Sequence, residues 1–378
     1  MEKYEIVATT LMGLEEVLAE EIRVLGGENI KNSKRAVSFL GDDSLLYKCN
    51  LALQSALRVL VPLDEFYAYT EKELYENTKS VQWEKILSLD HTFSIGASVN
   101  GIFFKHSQYA ALLIKDAIAD RFREKFGKRP SVDKENADIT LNAHIQGEKV
   151  TLSLDSSGIS LNKRGYRIQA NEAPINEVLA AGIIKMSGWD KNMPFYDPMS
   201  GSGTFSIEAA IMATNTPPGL NRNFSCENWM DFDKQLFEKC KNELKSGISE
   251  NSPQIFARDL LASNVETISR NISDAGMEDH ILLKKEDFFE SKPKHDSGML
   301  FLNPPYGERM KIEDLNLFYS KIGDTLKQNY KGFDAWIISS DREAMKKIGL
   351  RAEKKIDLMN GGLEARLQKY QLFEGKRF

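Results

Sequence analysis

The chain has 378 residues, 42% of them hydrophobic, with a formal net charge of −5. That length exceeds one ordinary core and predicts two or three domains, while the acidic balance excludes a protein that coats nucleic acid nonspecifically. Cys49, Cys226 and Cys240 are odd in number and far apart, which predicts a reducing compartment rather than a disulfide framework.

The N-terminus alternates polar and apolar residues instead of presenting a basic and then apolar leader, and no run approaches the length of a membrane span. A soluble, cytoplasmic protein with no membrane partner is expected. His91, His106, His144, His280 and His295 never reach metal-ligand spacing with the cysteines, so no metal is expected. Residues 1–65 predict a small α/β unit: a strand at Tyr4–Ala8, a helix through Leu14, Val17, Leu18, Ile22 and Leu25, a strand near Ala36–Leu40 and a second helix carrying Leu45, Leu46, Cys49 and Leu53. Lys31, Lys34 and Arg35 fall on the turn between them.

Residues 66–155 predict strand, helix, strand, strand. Phe93, Ile95, Ala97 and Val99 alternate; Tyr109, Leu113, Ala117, Phe122 and Phe126 mark one helix face ended by Gly127; residues 139–145 and 150–154 form a hairpin. Arg121, Lys125, Lys128 and Arg129 lie off the core face. They suit either RNA phosphates or ion pairs with Asp116, Asp120 and Glu124. Residues 156–173 read as a polar linker in which Lys163, Arg164, Tyr166 and Arg167 either meet RNA or dock the domains through carboxylates. Pro174 suits the first turn of the next helix.

From 174 to 378 strands and helices alternate, the pattern of a mostly parallel doubly wound sheet, with a polar insertion at about 214–254 and a terminal antiparallel hairpin through Gly361-Gly362. Asp197-Pro198-Met199-Ser200-Gly201-Ser202-Gly203-Thr204 is a strand end turning on two glycines into a helix, which brings bare backbone N–H groups beside a ligand. It lacks the Lys-Ser/Thr pair of a phosphate loop. A second strand-like run, Met299–Leu302, leads into Asn303-Pro304-Pro305-Tyr306.

Together these motifs resemble the S-adenosylmethionine-dependent class I methyltransferases that act on exocyclic amino groups. More narrowly, the chain is similar to bacterial enzymes with a THUMP RNA-binding domain that methylate the 2-amino group of a guanine in 23S rRNA. The similarity extends to Lys163–Arg167, Ala173-Pro174 and Asn360–Leu367, with Ser200 and Ala365 where relatives often have cysteine. It implies an α/β fold, a Rossmann-like methyltransferase domain at 174–378 preceded by a ferredoxin-like subdomain at 1–65 and a THUMP domain at 66–155. It also implies S-adenosylmethionine as cofactor and RNA, either 23S rRNA or a ribosome assembly intermediate, as partner. A monomer with one activity is expected, since the chain stops before the second methyltransferase domain of some relatives. A tRNA substrate, or an RNA-binding assembly factor without catalysis, are the alternatives.

Ligands of such sheets lie outside the carboxyl ends of the strands, where Asp197, Asp259, Asp287 and Asn303 each stand. Asp259 is expected to accept from both ribose hydroxyls and Asp287 from the adenine amino group, with Phe288 against the ring. Asp197 balances the cofactor ammonium. Asn303 and the Pro304 carbonyl accept the two N–H bonds of the target amine, Pro305 stiffens the turn and Tyr306 stacks on the extruded base.

Overall fold

Alternating apolar residues build one sheet from the first 155 residues. In this computed structural model, which describes residues 2–167, 174–249, 254–305 and 315–373, they form β1 (Tyr4–Thr9), α1 (Glu15–Leu25), β2 (Glu28–Ser33), β3 (Ala36–Gly41), α2 (Asp43–Ala52) and β4 (Arg58–Tyr67). There follow α3 (Glu71–Ser80), β5 (Thr92–Asn100), α4 (Ser107–Phe126), β6 (Ser131–Val132), β7 (Ile139–Gln146) and β8 (Lys149–Asp155). The strand order is β2-β3-β1-β4-β8-β7-β5-β6. Antiparallel pairing of β4 with β8 makes the sheet continuous, so β4 runs straight through residue 65, where a domain boundary was expected. Lys31 lies in β2 rather than in a turn; Lys34 and Arg35 make the β2–β3 turn, with Arg35 at φ 60°. Trp83, Phe93, Phe122 and Ile139 are buried in the core under α3 and α4.

The second part of the chain supplies α5 (Glu177–Ser187), β9 (Phe195–Asp197), α6 (Thr204–Ala213), α7 (Lys234–Ser246), β10 (Ile255–Asp259), α8 (Ala262–Asp274) and β11 (Ile281–Lys285). After them come β12 (Gly298–Leu302), α9 (Leu315–Asn329), β13 (Phe333–Ser339), α10 (Arg342–Lys346), β14 (Lys354–Asn360) and β15 (Leu363–Gln371). Here the order is β11-β10-β9-β12-β13-β15-β14, with every strand running the same way except β15, which pairs antiparallel with both β13 and β14. Chain order reverses between β9 and β12, which creates the switch-point crevice at their carboxyl ends. Phe195 stacks on Phe301 and Tyr196 on Phe256, each at 4.6 Å. Pro174 does not begin α5: Asn176 caps it, accepting from the Val178 and Leu179 amides.

Contacts divide the chain into two units, neither continuous in sequence: residues 10–18 group with the second, and residues 222–242, from the insertion, with the first. Within the first unit, Phe232 and Phe237 meet the Tyr47 ring edge-on at 5.5 Å, and the Asp233 amide donates to the Tyr47 hydroxyl at 3.1 Å. Residues 155–158 are not a loose linker. Ser156 and Ser157 are fully buried, bonded to each side of the Asn50 amide, and Asp155 pairs with Arg58. No helix among the described residues is long and apolar enough to cross a membrane.

Candidate active site

The glycine bend is held mostly from within. Ser200, Ser202 and Thr204 turn their side chains inward, 9% exposed or less: Ser200 Oγ donates to the Asp197 carbonyl at 2.7 Å, while Ser202 and Thr204 share a hydrogen bond at 3.1 Å. Pro198 is buried too. Gly201 and Gly203 need their positive φ of 60° and 82°. A Cβ at Gly203 would stand 3.0 Å from Ile268, whereas one at Gly201 would meet nothing within 4 Å, so open space faces Gly201. The amides of Gly201 and Gly203 are not bare, as expected, but donate to Asp259 Oδ2 at 2.9 Å and to the Ser200 carbonyl at 2.8 Å.

Asp259 therefore faces the bend, yet its expected role needs correcting. Its carboxylate also accepts from the Leu261 amide and from Asn264 Nδ2, both at 3.0 Å. Three of about four lone-pair positions on a carboxylate are occupied, so the expected acceptance from both ribose hydroxyls exceeds the one position left open. Phe288 is 3% exposed and packs on Tyr330 and Phe289 in the core, so it has no face for an adenine. Exposed apolar surface at this rim comes instead from Leu260 and Leu261, 55% and 50% exposed. Half-buried Asp287 accepts from the Phe289 amide at 2.9 Å.

Asp197 is 1% exposed, with Oδ2 accepting from Ser206 Oγ at 2.9 Å, so it anchors the start of α6 rather than presenting itself to a ligand. Burial pushes its carboxyl up to about 7; the Ser206 and Ser200 hydrogen bonds oppose this and the charge of Asp259 adds to it. A carboxyl raised above its unfolded value of about 3.9 favours folding below that value, and the contribution is lost as the pH rises through the folded pKa. Thermal melts of the cofactor-free chain are expected to show this group's contribution falling between about pH 4 and pH 7. Asp197→Asn should flatten that slope.

β12 pairs with β9, so Asn303 and Asp197 leave neighbouring strands at one edge. Asn303 Oδ1 is buried and has no hydrogen-bond partner among the described residues. Pro304 is buried and Pro305 half-buried; Tyr306, like Gly307, Glu308 and Arg309, lies outside the described residues.

The basic residues are largely committed to carboxylates. Arg164 is 7% exposed and Tyr166 3%; both bond Glu208, a fully buried residue of α6, with the Tyr166 hydroxyl at 3.0 Å and the guanidinium at 3.4–3.5 Å. Arg167 pairs with Glu177. Burial takes Arg164 and Tyr166 out of solvent and corrects the RNA reading for these two, while half-buried Arg167 is engaged by a carboxylate. Arg121 grips Glu84 in a fork at 2.8 and 2.9 Å and Lys125 joins it at 2.6 Å, holding the Glu84 carboxyl below the usual range. Lys163, Lys128 and Arg129 are exposed. Glu208 and Asn271, which donates to the Ser202 carbonyl at 2.9 Å and steadies the bend, were not singled out in the sequence; a charged residue inside the apolar run Ile207–Met212 was the available sign of the first.

Sheet order, a glycine bend after β9, an acid after β10 and Asn-Pro-Pro after β12 together define a class I methyltransferase, and the residues around Gly201 fit its cofactor, S-adenosylmethionine. Family models match over residues 164–369 (RMKL-like, methyltransferase domain), 68–155 (THUMP domain) and 5–60 (RlmL ferredoxin-like domain). A Synechocystis protein named for RNA methylation is 36% identical over 369 residues, 97% of this chain and 96% of that one. The large-subunit ribosomal RNA methyltransferase K/L of Syntrophotalea carbinolica is 35% identical over 385 residues; the match covers 98% of this chain but 54% of that longer protein. A crystal structure of SMU.472 complexed with SAH superposes with a TM-score of 0.88 at 30% identity over 100% of both chains. The chain belongs to the RMKL-like methyltransferases, an S-adenosylmethionine-dependent RNA methyltransferase family.

Proposed function

We propose that the chain methylates the exocyclic 2-amino group of a guanine in large-subunit ribosomal RNA. The observation that carries this reading is the Asn303 side-chain oxygen, a buried acceptor without a partner among the described residues. Leaving such an atom unsatisfied costs about 1–3 kcal/mol, so a ligand donor is its natural complement. An amino group supplies N–H donors; a phosphate or carboxylate does not.

The cofactor, when bound, supplies an electrophilic methyl on a sulfonium centre. Asn303 and the Pro304 carbonyl each accept one N–H of the target amine, so that the nitrogen lone pair, otherwise delocalised into the ring, is aimed at the acceptor orbital of that methyl. Asp259 offers its remaining lone pair to one ribose hydroxyl, and Leu260 and Leu261 take the apolar role first assigned to Phe288. Asp197, buried beneath the bend and bonded to Ser206, supports the turn rather than touching the cofactor. The preference for RNA is supported by the THUMP match, and for the large subunit by the name of the K/L relative. Labelled methyl transfer to unmodified 23S rRNA and to unmodified tRNA, side by side, tests the reading. Incorporation into the former supports it; incorporation into tRNA alone overturns the substrate assignment.

A further inference from the structure

The turn joining β14 to β15 stands at the same edge of the sheet as Asn303. β13 runs parallel to β12, and Ser339, its last residue, pairs with Arg366; the residues preceding Arg366 in β15 therefore project past the carboxyl end of β13. Strand alternation puts Leu363 on the side of buried Ala365 and Leu367, but Leu363 itself is 54% exposed. An exposed leucine carries no meaning by itself; its place and its mounting do. Gly361, at φ 63°, and Gly362 have nothing within 4 Å of where a Cβ would stand, so the tip is clear on its sides. Its root is braced: Arg366 holds Asp357 at 2.8 and 3.2 Å, and Arg342 reaches both Asp357 at 3.5 Å and Glu364 at 3.2 Å. Arg342 also places a positive charge beside the Glu364 carboxylate, the group on this tip that would repel a phosphate.

We propose that Leu363 is an apolar wedge that packs into the base stack beside the methylated nucleotide and holds the gap open while the target base is turned out. The inference rests on the RNA reading above. A target amine inside a helix is out of reach of Asn303, and an apolar side chain that replaces the lost stacking lowers the energy of the extruded state. A stiff hairpin ending in a short bare turn can enter a stack with little ordering of its own. This assigns to Asn360–Leu367 a role distinct from cofactor binding.

The full chain is assayed on a fragment of 23S rRNA bearing the guanine that the parent chain modifies, once with that guanine base-paired and once opposite an abasic position. Leu363→Ser is expected to lower kcat/KM on the paired fragment by about 10- to 100-fold, and on the abasic one by less than roughly threefold. Leu363→Met should stay near the parent on both, with S-adenosylmethionine affinity unchanged in either variant. Equal losses on the two fragments, or no loss on the paired one, overturn the wedge. If the parent chain methylates no RNA, the substrate reading fails first and the wedge falls with it.

Discussion

Asn303→Ala is expected to cut methyl transfer by about 10²- to 10³-fold, the loss typical of removing one positioned hydrogen-bonding group from a reacting centre. S-adenosylmethionine affinity should stay within about threefold, because the proposed partner of the amide oxygen is the amine and the bend is braced elsewhere. Ser200, Ser206, Asp259 and Asn271 hold the glycine turn without any bond from Asn303. Calorimetric titration of the cofactor beside single-turnover kinetics separates the two effects. Near-parental turnover would remove Asn303 from the chemistry, and a loss of cofactor binding equal to the loss of rate would make it a binding residue instead.

Glu208→Ala should be the most damaging substitution for stability. It would take from the Arg164 guanidinium, on a side chain only 3% exposed, the fully buried carboxylate that pairs with it. Breaking a buried pair from one side costs about 3–5 kcal/mol, since a charge is left in a medium that solvates it poorly. The Tyr166 hydroxyl would lose its acceptor in the same step. Replacing both charges, as Arg164→Met with Glu208→Leu, removes the buried cation together with its carboxylate and should recover most of the loss. Urea denaturation of the three proteins makes the comparison. A cost below about 1 kcal/mol for Glu208→Ala, the range of exposed pairs, would show Arg164 free in solution and return it to the RNA candidates.

Those residues also mark where local pattern stops being informative. The parallel strands were legible because buried strands read as short apolar runs, and the β14–β15 hairpin because Gly361-Gly362 separates two such runs. β2 was not: Glu-Asn-Ile-Lys-Asn-Ser is an exposed edge strand whose pairing to β3, not its composition, defines it. β4 hides behind Pro62 and a register shift between Pro62 and Asp64, which breaks its alternation. α3 buries only Leu74 and Thr78, too few for an apolar stripe.

At the site, residue types were readable but their partners were not. Arg164 and Tyr166 look identical in sequence whether they face a phosphate or Glu208, which is 44 residues from the first; only the tertiary fold brings the carboxylate to them. Arg121 and Glu84 repeat the lesson across 37 residues. Phe288 was placed by its neighbour Asp287, yet the chain turns just past β11, and the ring went to the core. Residues 222–242 carry no local sign that they belong with α2 and β7; Ser225, donating to the Asp138 carbonyl at 3.0 Å, makes that plain only in three dimensions.

The account rests on an amine held by Asn303 beside the glycine bend. Incubating the purified chain with labelled S-adenosylmethionine and unmodified 23S rRNA, digesting to nucleosides and identifying the methylated atom tests it most directly. Label in N2-methylguanosine is predicted. Label on a ring nitrogen, a carbon or a ribose oxygen would contradict it, because none of these presents the paired N–H donors that the proposed roles of Asn303 and Pro304 require.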